Sequence, residues 1–400
     1  MLITMTQTAS AGTLKVMLTG RANNSYFDKV IAQYQKTHKG TRITPIYMKW
    51  EDQAEAIAKK PDVFVGPRYF LADNIEIGIF EDLNKLLSKE TIKSFHSELL
   101  YSCSIKKQIY GVPVFGYGTS LVYNKDMFKK AGLSAPDTSW SWEGKFQEAC
   151  RKLTQNRNGD GTNERFGFVG LPTNNFLSLF YGFGGSFHNT NVTKVTYTEK
   201  PGMDAINFIL KLHKEKIVEL VDWSTVTDGE PQTYPFVNGR SAMEINWVTS
   251  LGDNGYEQWF KRNKIDMRVG NTVIPSGPKG TISAVDSDVV TMMSTCKNKK
   301  EAADFIKFMA SSKGQEMIYD IYGALPTTND GLRLEKVTRK VAAPFLKSYR
   351  LGKGRNIRRQ VGHLEGRLWG DLTKILNNEG TMSDLMANSK TALDDFALNL

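Results

Sequence analysis

The stretch 110–133, YGVPVFGYGTSLVYNKDMFKKAGL, constrains the fold of this chain more than any other. Two short β-prone runs, 112–114 and 121–123, flank the glycine pair Gly116 and Gly118. β-Branched and aromatic side chains favour a pleated strand, while glycine lets the backbone swivel where it passes from one sheet to another. The period then changes. Asn124 or Asp126 supplies a side-chain oxygen for the orphan amides of a helix start, Met127, Phe128 and Ala131 follow on that helix, and Gly132 ends it in a left-handed turn. A strand that runs through two glycines into a capped helix reads as a hinge strand between domains. Length agrees, because 400 residues exceed the size at which one core keeps growing.

Upstream of the hinge the periodicities alternate. Residues 14–18 read as a strand, and 26–38 as a helix whose Phe27, Val30, Ile31 and Tyr34 share one face. A second strand at 42–48, a short helix at 52–59 and a third strand at 62–65 follow. That alternation predicts an α/β fold with a parallel sheet and right-handed crossovers, and ligands of such sheets bind beyond the carboxyl ends of the strands. Those ends carry Trp50 after the second strand and Arg68 with Tyr69 after the third. Downstream, helices are expected at 142–153, 201–215, 235–240, 301–310 and 314–322, and strands at 164–169, 242–247 and 271–275. Residues 331–400 are expected to be helices packed on the second domain.

Several function classes lack their signatures. The chain has no H-E-x-x-H, G-x-S-x-G, phosphate-loop or complete dinucleotide motif, and its five histidines share no metal-ligand spacing. An enzyme is therefore not expected. Cys103, Cys150 and Cys296 are too few and too scattered for a disulfide framework and read as small buried side chains. Lys plus Arg total 52 against 42 Asp plus Glu, a net charge of +10 that is dispersed, apart from a cluster at 347–359. No nucleic-acid recognition motif accompanies it. No run approaches the roughly 18 apolar residues of a membrane span, and the first residues do not have the pattern of a signal peptide. One segment, 156–164 (NRNGDGTNE), has oxygen side chains at alternate positions like the front of a calcium loop, through Asn156, Asn158, Asp160, Thr162 and Glu164. It lacks the bidentate glutamate, since Gly167 stands at that position, and an Asn/Gly-rich turn is the plainer reading.

The run 121–153, LVYNKDMFKKAGLSAPDTSWSWEGKFQEACRKL, resembles the crossover segment of family 1 extracellular solute-binding proteins, the sugar receptors of ABC importers. The resemblance recurs in PFVNGRSAMEINW at 235–247 and in 297–329, KNKKEAADFIKFMASSKGQEMIYDIYGALPTTN, in the family's order. It implies a two-lobed periplasmic-binding-protein-like fold, with two parallel-sheet domains joined by a multi-strand hinge. The lobes are expected at 13–117 plus 276–325 and at 121–272 plus 330–400, with crossings near 116–120, 271–276 and 323–330, and with Gly116, Gly118 and Gly323 absorbing the motion. It implies capture of an oligosaccharide by hinge closure and delivery to membrane permease subunits, by a monomer outside the cytoplasmic membrane. A leader, with a lipidated cysteine, is expected to have been removed.

A sugar cleft needs aromatic faces and planar polar side chains. Beside Trp50, Arg68 and Tyr69, the candidates are Tyr117 in the hinge, Asn174 and Phe176 after the strand before them, and Tyr322 near the third crossing. Trp247 stands where the family often stacks sugar, and Trp369 where it sometimes does. Arg355, in the basic cluster, is the candidate partner of an acidic sugar. No cofactor is required, structural calcium at 156–164 aside. Two alternatives stay open: the same fold binding a small charged solute (polyamine, phosphate ester or metal), and a secreted polysaccharide-acting protein.

Overall fold

Alternating apolar runs and 3.6-residue stripes condense here into a mixed sheet covered by helices. The computed structural model describes residues 12–19, 25–49, 52–155, 164–170, 173–221, 234–248 and 264–398. Among them the strands are β1 (Gly12–Leu18), β2 (Thr41–Tyr47), β3 (Val63–Pro67), β4 (Ser104–Ile105), β5 (Gln108–Ile109), β6 (Val112–Asn124), β7 (Phe168–Val169), β8 (Val218–Glu219), β9 (Met243–Val248), β10 (Val269–Thr272) and β11 (Val285–Met292). The chain divides into two units: Met1–Gly116 with Asp286–Val337, and Tyr117–Val285 with Thr338–Leu400. The first division falls inside β6, between the two glycines of the expected hinge. The other two fall at 285/286 and 337/338, so residues 276–285 lie in unit 2 and residues 330–337 in unit 1.

Unit 1 is built on β2, β1 and β3, which are parallel, with Val16 opposite both Pro45 and Val63. β2 is the end strand of the order, where a proline removes no needed ladder bond. The helix Ser25–Thr37 returns the chain from β1 to β2 and buries Phe27, Val30, Ile31 and Tyr34 against the sheet, the face that its periodicity marked. β11 then pairs antiparallel with β3, Asp288 opposite Pro67, and is buried along its whole length. Sequence periodicity did not reveal β11. The helices Lys299–Ala310 and Ser312–Tyr322 complete this core with Phe305, Ile306, Met309 and Ile318.

Unit 2 is organised on the second half of β6, with β9 and β10 both antiparallel to it. Tyr123 faces Met243 on one side and Gly270 on the other, so this part of β6 is the middle strand, which is why it reads as a continuous apolar run. The parallel sheet expected for this domain is thus confined to the short β7–β8 pair, and the central ladder is antiparallel. The expected helix start is capped as read: the Asn124 side chain accepts from the amides of Asp126 and Met127, both at 3.0 Å, and Gly132 takes φ +64°. The expected strand at 164–169 shortens to β7. The expected helix at 235–240 is a series of turns, too short to overcome the cost of a helical nucleus. Gly118 has a reason other than swivel. A Cβ there would lie 3.0 Å from Ser283 Oγ and 3.1 Å from the Tyr349 ring, tight contacts within unit 2 that favour the bare backbone. Trp140 and Trp142 are core residues. All three cysteines are buried and free, with burial pushing the Cys103 thiol up to about 12.

Candidate functional site

In unit 2, β6 and β9 pair with Thr119 opposite Trp247. Tyr117 stands two residues before Thr119, on the same face, where a diagonal cross-strand neighbour is within reach of an aromatic ring. The two rings meet edge-to-face, centroids 5.4 Å apart at 86°. Each is only half-buried. Trp247 packs its inner edge on the unit's main core, and the Trp247 amide donates to Asn246 Oδ1 at 2.7 Å, while Asn246 Nδ2 donates to Glu244 Oε1 at 3.1 Å. Two candidates from sequence are therefore brought together. Glu244 and Asn246, half-buried and passed over by sequence reasoning, alternate with Met243, Ile245 and Trp247 and so belong to the other face of β9.

The base under this pair is fixed by hydrogen bonds. Asn175, buried in the helix Thr173–Phe183, accepts from the Ile245 amide at 2.7 Å and donates to the carbonyls of Val169 and Gly170 at 3.1 and 3.0 Å. Ser178 Oγ donates to Thr119 Oγ1 at 2.9 Å, and the same hydroxyl accepts from the Ala284 amide at 3.0 Å. Strand, helix and return strand are thus tied into one rigid piece.

Phe176 was a contact candidate, but the structure makes it core: it is 0% exposed, stacked on Phe180 at 5.0 Å and edge-on to Trp369 at 4.7 Å. Its place one turn into an apolar helix turns it inward. Asn174 lies in the same helix, its side chain outside the described residues. Trp369, in the helix Arg359–Leu376, is half-buried against the same core that Trp247 borders. Arg355 is committed to Glu365, itself buried, donating through Nε at 3.2 Å and through Nη2.

In unit 1 the expected cation of the third loop is also committed. Arg68 is 4% exposed, and its Nε and Nη2 donate to the two Asp286 oxygens at 2.7 and 3.1 Å. Arg68, expected from sequence to meet a ligand, thus has a carboxylate partner within the protein, on β11. Tyr69 beside it is 50% exposed at the start of the helix Tyr69–Asn74. Tyr322 sits edge-on to Phe115 at 4.8 Å, and burial, reinforced by Asp288, Tyr47 and Asp28, raises its hydroxyl well above the usual tyrosine range. Tyr47, the last residue of β2, hydrogen-bonds Asp28 and is pushed up to about 12, first by burial and then by that bond. Tyr47 and Asp28 are thus polar neighbours of Tyr322 that the sequence did not single out. Trp50 lies outside the described residues, as do Asn156, Asn158, Asp160 and Thr162 of the candidate calcium loop. Glu164 is described, and its amide donates to the Gln155 carbonyl at 3.0 Å. Among the described residues no three His, Cys, Asp or Glu side chains converge as a metal site.

Half-exposed rings such as these can stack on an apolar ligand face. Among the described residues no helix is long and apolar enough to cross a membrane. The chain matches the family model of bacterial extracellular solute-binding proteins over residues 20–316. A putative binding protein of Brucella abortus is 21% identical over 352 residues, covering 84% of this chain and 80% of that protein. An ABC substrate-binding protein of Listeria monocytogenes, solved in complex with cycloalternan, superimposes with a TM-score of 0.75 at 18% identity, over 96% of this chain and 99% of that one. The cyclic alpha-maltosyl-1,6-maltose binding protein of Arthrobacter globiformis does so with a TM-score of 0.77 at 17% identity, over 96% and 98%. Those likenesses carry the fold and the family model carries the family: this chain belongs to the bacterial extracellular solute-binding proteins and has their periplasmic-binding-protein-like α/β fold.

Proposed function

We propose that this protein captures a neutral oligosaccharide outside the cytoplasmic membrane and delivers it to the permease subunits of an ABC importer. The Tyr117–Trp247 pair carries the reading: two half-exposed rings meeting edge-to-face on a hydrogen-bonded base. The oligosaccharides bound by the Listeria and Arthrobacter proteins support the ligand class. A neutral rather than acidic sugar is supported by the arginines, since Arg68 and Arg355 are held by Asp286 and Glu365. A sugar that contacts both units only when they close shifts the open–closed equilibrium by its binding free energy, and the importer reads the closed state. The mechanism needs no cofactor and no bond-making step. A monomer, tethered outside the membrane through lipid as the family resemblance implies, suffices for it.

A thermal-shift panel tests the reading: linear and cyclic α-glucans, neutral and uronic, each with and without calcium. A ligand at a hundred times its Kd stabilises the native state by about 2.7 kcal/mol, a shift of several degrees. Neutral glucans should give it, and Trp247→Ala should weaken the affinity by at least about tenfold, read against the variant's own ligand-free melt, which the lost core packing lowers. A response to uronic sugars alone, or to none of the panel, would sink the proposal. Release of shortened glycans during incubation would replace binding by hydrolysis.

A further inference from the structure

On unit 1 the helices Ser25–Thr37 and Ser312–Tyr322 lie side by side and leave a surface groove of about 470 Å³. Its floor is apolar: Ala32 from the first helix, Met317 and Ile321 from the second, and Phe308 from the helix Lys299–Ala310. Phe308 is held in place, edge-on to Tyr34 at 5.1 Å and to His38 at 5.4 Å, while those two rings stack on each other at 4.0 Å. The floor is therefore preformed, and an occupant need not order it.

The rim is cationic. Lys29, Lys36 and Lys313 are all exposed on it, and Lys36 and Lys313 have no ion-pair partner among the described residues. The groove's two carboxylates share one lysine. Lys336 Nζ lies 2.7 Å from Glu316 Oε1 and 2.8 Å from Asp320 Oδ2, which offsets one of their two charges and leaves the three rim lysines in excess.

We propose that this groove docks an acidic amphipathic helix of a partner protein. Apolar side chains spaced i, i+3 or i+4 and i+7 would fill the floor, and carboxylates on the flanks would face Lys29, Lys36 and Lys313. The size fits: Ser312–Tyr322 is 11 residues, about 16 Å of helix at 1.5 Å per residue, enough for three turns of a partner. Charge argues against a second copy of this chain, whose net charge is +10. A membrane surface is flat and would meet the lysines without reaching the floor.

The surface lies on unit 1 and requires no assumption about the sugar. The test uses fluorescent amphipathic peptides of one apolar pattern, flanked either by glutamate or by lysine, titrated with the full chain. The Leu/Glu peptide should bind saturably and more weakly in high salt, and Lys36→Glu with Lys313→Glu should weaken it at least about tenfold. The same variants should keep the wild-type melt and any glucan-induced shift, so a failed groove is distinguishable from a failed ligand reading. Equal binding of the Leu/Lys peptide, silence of both peptides, or indifference to the two substitutions would overturn the proposal. So would concentration-dependent dimerisation, or binding to phosphatidylglycerol vesicles, lost in those variants while neither peptide binds.

Discussion

Arg68 and Asp286 form a double-hydrogen-bonded ion pair in the interior of unit 1, with side chains 4% and 10% exposed. Removing one member of a buried pair strands the other charge away from water, which costs about 3–5 kcal/mol, whereas replacing both with apolar groups removes both desolvation penalties and is often neutral. Asp286→Asn should therefore lower the melting temperature by roughly 6–20 °C, at 2–4 °C per kcal/mol for a unit of this size. Arg68→Met should cost less, because the Asp286 carboxylate keeps its hydrogen bond from the Ser287 amide at 2.8 Å. The double variant Arg68→Met with Asp286→Leu should return to within about 1 kcal/mol of wild type. Urea unfolding followed by far-UV circular dichroism measures all four proteins at a shared slope. If Asp286→Asn unfolds at the wild-type midpoint, or the double variant is as weak as that single one, the pair is not what holds β11 to this end of the sheet.

Two further predictions concern unit 2. Burial lowers His213 to about 4 against an ordinary 6.5, so the unfolded chain binds the extra proton between those values; stability present above pH 6.5 is lost as pH falls toward 4. The loss should be about 2 kcal/mol between pH 7 and pH 5, and His213→Leu should flatten that limb of the denaturation midpoint; an unchanged limb would refute it. Glycines in this unit should respond with opposite signs, because a Cβ at Gly170 would lie 1.8 Å from the Glu219 carbonyl oxygen while one at Gly366 meets nothing within 4 Å. Gly170→Ala should cost about 3 kcal/mol and Gly366→Ala, inside a helix, should gain about 0.5–1 kcal/mol; equal midpoints would show that close approach is not the reason for Gly170.

What was legible in the sequence was what local chemistry decides. The helix Ser25–Thr37 announces itself because its four core residues recur at helical spacing, and Asn124 because a cap acts on amides two and three residues away. β11 shows the limit. Its sequence, VDSDVVTM, places two carboxylates within three residues, which locally reads as a loop, yet every residue of it is buried. The charge that permits this sits 218 residues earlier in the chain, on Arg68, and no window can contain both. One missing fact therefore hid two things, the strand itself and the carboxylate partner of Arg68.

The same logic separates the aromatics. Type and position on an element are local properties, and they nominated Tyr117, Phe176, Trp247 and Trp369 alike. Whether a ring is core or site depends on which protein surface meets it. Phe176 meets Phe180 on one side and Trp369 on another, and nothing of it reaches solvent. Tyr117 and Trp247 meet across a ladder whose register is fixed by the Gly118-to-Tyr123 pairing, and each keeps part of its ring exposed. A one-residue slip in that register would put Tyr117 and Trp247 on opposite faces of the sheet. The candidate site is thus a consequence of strand register, and register is anchored beneath the rings, by Asn175 on the Ile245 amide and by Ser178 and the Ala284 amide on Thr119. Those buried polar residues, rather than the aromatics themselves, are what a chain must preserve to keep two rings facing a ligand.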